Sequence, residues 1–166
     1  KAERDILSRE LSAKLQNLLS TEDGVWGGFI PLESEPSIFP MPASKITWAF
    51  PKIENQTMKF AVSDEFEKGP HGITQPLVRD ESAYKTRDQI KGFVIPALGF
   101  SDDGYRIGWG AGYYDRYLKG FKGSTIGVCF DFQILPTAAW VEEFDFPVNQ
   151  VVTPNAMFKC KESSWK

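Results

Sequence analysis

The chain has 166 residues, 42% of them hydrophobic and 25% charged, which is the size and composition of one ordinary globular domain with its own core. Its net charge of −3 gives no basic field, so nucleic acid is not expected as a principal partner. No apolar run approaches the roughly 18 residues that a membrane-spanning helix needs, so no membrane is expected either. We predict a single domain over residues 1–166, most simply a monomer.

The two cysteines, Cys129 and Cys160, lie far apart and in no metal-ligand spacing. Cys129 falls in an apolar, strand-like run, where a buried and inert thiol is expected. The sequence opens without a secretory-signal pattern, so a reducing cytoplasm is the expected compartment.

Apolar periodicity predicts one long helix over residues 3–19. Four leucines at helical spacing define its buried face: Leu7, Leu11, Leu15 and Leu18. The mostly apolar run Val25–Ile30 then predicts a buried parallel strand. Residues 31–44 contain four prolines, which leave room for one or two helical turns at most.

Further strands are predicted from short apolar or alternating runs, at Ile46–Phe50 (closed by Pro51), Met58–Val62, Phe93–Ile95, Thr125–Phe130 and Val148–Thr153. Residues 64–91 are polar and weakly patterned, so we expect a loop with one short helix near 81–90. Strand, helix and strand follow within about 40 residues in the second half, which indicates a crossover unit. The predicted fold is α/β and three-layered, with a mainly parallel sheet and helices on both faces.

The segment from Val94 to Asp115 carries the clearest signal of function. A strand stops at a proline, a loop follows, and three glycines at alternate positions, Gly108, Gly110 and Gly112, lead into a helix of about residues 112–119. Such glycines permit unusual backbone conformations and close approach of a ligand. The helix would point free N–H groups at the loop, which favours phosphate. Asp115 could hold a metal ion there, or only complement the helix dipole. We predict a nucleotide-phosphate loop.

This loop matches neither of two common nucleotide-binding motifs. The dinucleotide fingerprint places its glycines directly between strand and helix, whereas about a dozen residues intervene here. A Walker-type loop needs a lysine followed by Ser or Thr, which is missing. Arg106, just before the glycines, could neutralise phosphate charge, whereas Arg116 could simply be solvated.

The aromatic residues of the segment leave alternatives open. Tyr113 and Tyr114 could stack on a flat heterocycle, but successive helical positions point apart, so one of them is expected in the core. The sequence does not say which. For Trp109, held between two glycines, we favour a role facing the site or the surface.

Three polar positions elsewhere are weaker candidates. Glu33 and Glu35 follow the first strand at the edge where open α/β sheets bind ligands, although two solvated carboxylates are the simpler interpretation. Lys52 lies at the same edge and could reach a phosphate or be solvated. His71 is the lone histidine and has no partner for a metal site or a triad, so it receives no catalytic role.

The run from Pro96 to Arg116 closely resembles the signature of the 5-formyltetrahydrofolate cyclo-ligase family, also called methenyltetrahydrofolate synthetase. Further pieces occur in that family's order: an N-terminal helix with Lys1 and Arg4, then Phe29–Glu35, Pro51–Lys52, Gly72–Pro76 and Asp145–Thr153. The resemblance covers nearly the whole chain. It implies an ATP- and Mg²⁺-dependent enzyme that phosphorylates the formyl oxygen of 5-formyltetrahydrofolate, with or without a polyglutamate tail. N10 then attacks the resulting iminophosphate to give 5,10-methenyltetrahydrofolate, ADP and phosphate.

The resemblance also implies roles for individual residues, with Arg106 and Tyr113 as the catalytic ones. The implied nucleotide-binding residues are Lys1, Arg4, Arg106, Ile107, Gly108, Trp109, Gly110, Ala111, Gly112, Tyr113 and Tyr114. The implied folate-binding residues are Ile30, Glu35, Trp109, Gly110, Ala111, Gly112 and Tyr113, with Glu35 bonded to the pterin-like ring. The implied metal ligands are Asp115 and Asn149.

The chain departs from the family pattern in three places. Asn149 stands where a second acidic residue is usual near the metal, and Gln75 replaces an acidic residue of the mid-chain motif. The segment between Glu35 and Lys52 is shorter and richer in proline than the helix usually found there. Two alternatives therefore stand beside the cyclo-ligase: a folate- or nucleotide-binding module without turnover, and a sugar-phosphate isomerase-like enzyme.

Overall fold

The computed structural model describes residues 2–39, 45–136, 141 and 145–160. Within this part of the chain there are two α-helices, α1 (Ala2–Leu18) and α2 (Tyr113–Leu118). Short 3₁₀ turns lie at Pro70–Gly72, Glu81–Ala83, Arg87–Gln89 and Asp131–Gln133. No described helix is long and apolar enough to cross a membrane.

Thirteen strands are described. They are β1 (Asp23–Gly27), β2 (Lys45–Glu54), β3 (Thr57–Ala61), β4 (Phe66–Lys68), β5 (Thr74–Pro76), β6 (Tyr84–Lys85), β7 (Ile90–Pro96), β8 (Gly99–Ser101), β9 (Arg106–Ile107), β10 (Ser124–Val128), β11 (Ile134–Leu135), β12 (Gln150–Val152) and β13 (Met157–Lys159).

Eight of these strands form one sheet in the order β13-β12-β10-β7-β1-β2-β3-β6. The five central strands, from β12 to β2, pair in parallel, and antiparallel strands flank them on both sides. Two smaller units stand apart from it: a β4–β5 hairpin, and a three-stranded sheet in the order β11-β8-β9. The mainly parallel sheet predicted from the sequence is confirmed.

Each face of the sheet carries its own core. Successive side chains of a strand point to opposite faces, so Val94 of β7 packs with α1 while Phe93 and Ile95 pack on the other side with α2. Leu15 on α1 and Leu118 on α2 are almost fully buried in these two cores. Helices therefore cover both faces, as the α/β prediction requires.

The prediction that Pro51 closes the second strand is wrong, because β2 runs on to Glu54. The first half of β2, Lys45–Ala49, pairs with β1, and its second half pairs with β3. Pro51 thus lies where β2 has left β1 and has a ladder neighbour on one side only. Its missing N–H costs no ladder hydrogen bond at such a position.

Other boundaries also differ from the sequence prediction. The expected helix near residues 81–90 is two 3₁₀ turns separated by the short strand β6, and the loop before the glycines contains β8 and β9. Strands of two or three residues are too short to show a period in sequence. Residues 31–39 contain one turn, closed by the Glu35 N–H and the Leu32 carbonyl, but no helix, and residues 40–44 of that stretch lie outside the described residues. Cys129 is completely buried, as expected.

Candidate active site

A cavity of about 640 Å³ opens at the carboxyl ends of β1 and β7. Three further segments complete its walls: the second half of β2, the tip of the β4–β5 hairpin, and the stretch from β9 into α2. Chain segments that leave neighbouring parallel strands meet at this edge, which is the usual ligand site of open α/β sheets. The glycine-rich segment and the segment after β1, both selected from the sequence, therefore face one space.

The glycine-rich segment is held by a hairpin. Strands β8 and β9 pair antiparallel, and the Leu98 N–H donates to the Ile107 carbonyl at 2.9 Å. Gly110 and Gly112 then take left-handed backbone conformations, with φ of +88° and +64°. Gly112 is the residue before α2. These turns carry the chain across the cavity mouth, and glycine adopts them without steric cost.

Arg106 is placed at the inner end of this segment. Its side chain is 10% exposed, and its Nη2 lies 3.4 Å from Oδ2 of Asp115. Its guanidinium carbon lies 5.0 Å from the centre of the Tyr114 ring. A cation–π contact and a single ion-pair contact leave other guanidinium N–H groups for a ligand. The site therefore offers a half-enclosed positive charge next to the glycine backbone.

The Arg106 guanidinium lies directly over Gly108. A Cβ built on Gly108 would be 2.4 Å from Arg106 Nη1, although the backbone of Gly108 is not left-handed. The atom in the way is the end of a flexible side chain, so a methyl group would displace the guanidinium rather than the backbone. Gly108 is thus required by the position of Arg106, not by its own conformation.

Gly108→Ala is therefore expected to lower activity about tenfold while changing the free energy of unfolding by less than about 1 kcal/mol. Gly120→Ala is the matched control, because Gly120 has a φ of +76° and no atom within 4 Å of its would-be Cβ. That control should lower the melting temperature and leave activity unchanged. Thermal unfolding and steady-state kinetics of both variants measure the changes in stability and activity. Normal activity of Gly108→Ala would contradict the importance of the Arg106 position.

Glu35 also lines the cavity and is only 5% exposed. Its Oε2 accepts a hydrogen bond from the Leu32 N–H at 2.9 Å. Burial raises the pKa of the Glu35 carboxyl, and the Leu32 N–H and the positive charge of Arg106 partly oppose that rise. Glu33 is exposed. The interpretation of both carboxylates as solvated is therefore wrong for Glu35.

The segment that carries Glu35 is irregular, and side chains of α1 hold it. The Arg4 guanidinium donates to the Glu33 carbonyl. Ser8 accepts from the Ser37 N–H at 3.1 Å, and Ser12 donates to the Ile38 carbonyl at 3.3 Å. Because Arg4, Ser8 and Ser12 are spaced by four, they form one polar stripe on the helix. That stripe is a signal the sequence offered and our prediction missed.

Most of the remaining predicted ligand residues line the same cavity. Tyr113 and Tyr114 both line it, and burial raises the pKa of the Tyr114 hydroxyl. Trp109 also lines it and is 67% exposed, in agreement with the favoured role facing the site or the surface. Ile30, Ala111 and Gly112 line it too, while Ile107 is half-buried in β9. Lys1 lies outside the described residues.

Arg116 and His71 lie at the rim of the cavity. Arg116 is exposed but not simply solvated, because it donates to the Ala111 carbonyl at 2.8 Å and lies 5.2 Å from the centre of the Tyr113 ring. His71 is exposed, lines the cavity and has a left-handed φ of +58°. Neither observation assigns these two residues a chemical role.

The two predicted metal ligands have different surroundings. Asp115 pairs with Arg106, and its Oδ1 accepts from the Phe146 N–H at 3.3 Å. The Asn149 Oδ1 accepts from the N–H and the hydroxyl of Thr125 at 2.8 and 3.0 Å. No group of three or more His, Cys, Asp or Glu that could hold a metal occurs in the described part of the chain. Mg²⁺ commonly binds through one or two carboxylates together with substrate phosphates, so Asp115 fits this ion. The Asn149 oxygen fits less well, because it already accepts two hydrogen bonds from Thr125.

Lys52 has a structural role beside the cavity. It is 7% exposed, and its ammonium group binds Glu67 Oε1 at 2.5 Å and the Pro76 carbonyl at 3.1 Å. Gln75 donates to the same Glu67 oxygen at 3.3 Å and accepts from the Ile53 N–H at 3.3 Å. Neither the phosphate contact nor the solvated state considered for Lys52 is what the structure shows. Lys52 ties the β4–β5 hairpin to β2.

Comparison with known proteins decides the family. The model described as the 5-formyltetrahydrofolate cyclo-ligase family matches residues 34–154, which include Glu35 and the whole glycine-rich segment. The chain belongs to this family. It is therefore a ligase of folate metabolism, as the resemblance implied, and membership argues against the isomerase-like alternative.

Individual relatives agree with the family assignment. The 5-formyltetrahydrofolate cyclo-ligase of Mycoplasma genitalium is 31% identical over 141 residues, covering 79% of this chain and 75% of the relative. The cyclo-ligase of Escherichia coli K12 is 35% identical over 69 residues, covering 40% and 37% of the two chains.

Solved structures of the family share the fold. The 5,10-methenyltetrahydrofolate synthetase of Aquifex aeolicus superposes with a TM-score of 0.78 at 27% identity, covering 98% of this chain and 85% of that one. The synthetase of Mycoplasma pneumoniae has a TM-score of 0.75 at 22% identity, covering 93% and 88%, and supports the fold alone. The α/β architecture is thus that of the family.

Proposed function

We propose that this enzyme cyclises 5-formyltetrahydrofolate to 5,10-methenyltetrahydrofolate at the expense of ATP, releasing ADP and phosphate. One observation carries the proposal: Glu35 and Arg106, which come from segments far apart in the sequence, line a single cavity of about 640 Å³. A buried carboxylate suits the N–H groups of a pterin-like ring, and a half-buried guanidinium suits phosphate. The substrate of this proposal is taken from the names of the relatives.

The reaction itself needs charge neutralisation and alignment. The formyl oxygen attacks the terminal phosphorus of ATP, so that an iminophosphate forms and ADP leaves. N10 then bonds to the formyl carbon and loses its proton, and the carbon–oxygen bond breaks to release phosphate. Phosphoryl transfer of this kind depends mostly on positioned positive charge, which Arg106 provides beside Gly108.

The folate side is assigned to Glu35, Ile30 and the aromatic rings of Trp109 and Tyr113, which line the cavity around the proposed ring position. Tyr113 is also the second catalytic residue of the proposal. On the nucleotide side, the proposal assigns binding to Arg106 together with Ile107, Ala111, Gly112 and Tyr114. Arg4 and Lys1 complete that side in the proposal, although Arg4 bonds the Glu33 carbonyl in this structure.

Mg²⁺ bound to Asp115 would neutralise phosphate charge as a Lewis acid. The carboxylate that pairs with Arg106 would then turn to the metal, and the guanidinium would turn to the phosphates. Asn149 is the weaker part of the metal proposal, because its oxygen already accepts two hydrogen bonds from Thr125. The proposal further places the enzyme in the cytoplasm as a monomer acting on mono- or polyglutamylated folate.

Isotope transfer tests the intermediate. With ¹⁸O in the formyl group, the proposal expects the label in the released phosphate and one ADP for each methenyl product. Label found in water instead of phosphate, with methenyl product still formed, would rule out attack by the formyl oxygen. Omitting ATP provides the control for spontaneous cyclisation.

A further inference from the structure

Gln133 is a buried amide that joins the two walls of the cavity. It belongs to the 3₁₀ turn Asp131–Gln133 after β10 and is 8% exposed. Its Nε2 donates to the Leu98 carbonyl at 3.0 Å and to the Ser34 carbonyl at 3.4 Å. Its Oε1 accepts from the Phe130 N–H at 2.8 Å. The side chain is thus fully used in bridging three backbone segments.

Two of these backbone segments carry the residues proposed to handle the substrates. Ser34 directly precedes Glu35. Leu98 donates its own N–H to the Ile107 carbonyl, and Ile107 directly follows Arg106. Gln133 therefore links, through one backbone carbonyl on each side, the wall that holds the carboxylate and the wall that holds the guanidinium.

The turn itself is firmly placed, so it can act as a reference point. Asp131 accepts hydrogen bonds from Thr153 and Asn155 at its own end of the turn. A Cβ on Gly99 would lie 2.8 Å from the Gln133 carbonyl, so β8 approaches the turn as closely as a glycine permits. On its other side, the Glu35 segment is held by Ser8 of α1. Gln133 and α1 therefore hold the irregular segment by hydrogen bonds from different elements.

We infer that Gln133 is a positioning residue of the cyclo-ligase, which fixes the separation between Glu35 and Arg106 without touching substrate. The inference rests on the proposed function, since it requires one substrate on each wall. Each wall still binds its own substrate when the link is broken. Alignment of the formyl oxygen with the phosphorus is lost instead, and small displacements of reacting atoms are costly.

Gln133→Glu tests this inference, because a carboxylate of the same shape accepts from Phe130 but cannot donate to Ser34 or Leu98. The expected result is a kcat lowered about tenfold or more, with KM for folate and for ATP each within about threefold of wild type. Gln89→Glu is the matched control, because the exposed Gln89 caps another 3₁₀ turn, where its Oε1 accepts from the Thr86 N–H at 2.9 Å, away from the residues that line the cavity. This control should leave kcat unchanged.

A wild-type kcat in folded Gln133→Glu, or an equal fall of kcat in Gln89→Glu, overturns the inference. If Gln133→Glu does not fold, Gln133→Asn decides, because it keeps the amide one methylene shorter. A lowered kcat in folded Gln133→Asn supports positioning, and an unchanged kcat refutes it. Wild-type protein that forms no methenyl product would instead refute the proposed function, so the two failures are distinguishable.

Discussion

Arg106→Gln is expected to lower kcat by about 10²–10³-fold, because it removes the half-buried positive charge next to the proposed phosphate position. Glutamine keeps much of the side-chain length and can still donate, so the loss reports charge rather than packing. Steady-state kinetics with ATP varied measure the effect. The change should appear in kcat, since the charge matters most as negative charge develops on the transferring group.

Arg79→Gln is the matched control for Arg106. Arg79 is 71% exposed and pairs with Glu65 at 2.7 Å, so the same substitution removes a surface ion pair. Such pairs contribute little to stability, and kcat should be unchanged. Arg106→Gln with a kcat near that of Arg79→Gln would contradict the assignment of Arg106 to phosphate.

Glu35→Gln is expected to lower kcat/KM for 5-formyltetrahydrofolate about 10- to 100-fold, with KM for ATP little changed. The carboxylate offers charge-assisted acceptors to ring N–H groups, and a neutral amide loses that charge and replaces one acceptor by a donor. Glutamine can still accept from the Leu32 N–H, so the segment should keep its place. Glu33→Gln is the matched control, since Glu33 is exposed two residues away. Equal kcat/KM in both variants would contradict a folate contact at Glu35.

The same substitution is expected to stabilise the protein at neutral pH. Burial raises the pKa of Glu35 in the folded state, so the folded state holds this proton more tightly than the unfolded chain. Stability from this group is therefore present below the ordinary glutamate pKa of roughly 4.3 and is lost as pH rises through the raised pKa. Glu35→Gln should raise the melting temperature at neutral pH, and the gain should vanish in acid. A melting temperature unchanged at neutral pH would contradict a free-energy cost of burying the charged Glu35 carboxylate.

The sequence predicted the long elements of the fold because their patterns are local. Apolar runs such as Val94–Ile95 fill both faces of a buried parallel strand, and the leucines of α1 repeat at helical spacing. The same reasoning gave a wrong strand end at Pro51. Whether a proline can continue a strand depends on which neighbouring strands lie beside it at that point. Ladder partners are a tertiary property, so the local signal for a strand end was misleading.

The candidate site was predictable in part. The glycine-rich segment stood out because its three glycines precede a helix, and the structure places Arg106 at its inner end. Glu35 was not distinguishable from Glu33 without the family resemblance, because its segment is held by hydrogen bonds with the distant residues Arg4 and Ser8. Gln133 could not be predicted either, because its contacts are to backbone atoms, which carry no sequence signal.

The most direct test of the proposed reaction is a near-ultraviolet absorbance assay of methenyltetrahydrofolate, with the purified protein, 5-formyltetrahydrofolate, Mg²⁺ and ATP. The band should grow only when ATP is present, at a rate proportional to enzyme and strongly reduced in Arg106→Gln. A flat trace from folded wild-type protein that still binds 5-formyltetrahydrofolate would contradict catalysis and favour a binding module. A band that grows equally without ATP would contradict the phosphorylated intermediate.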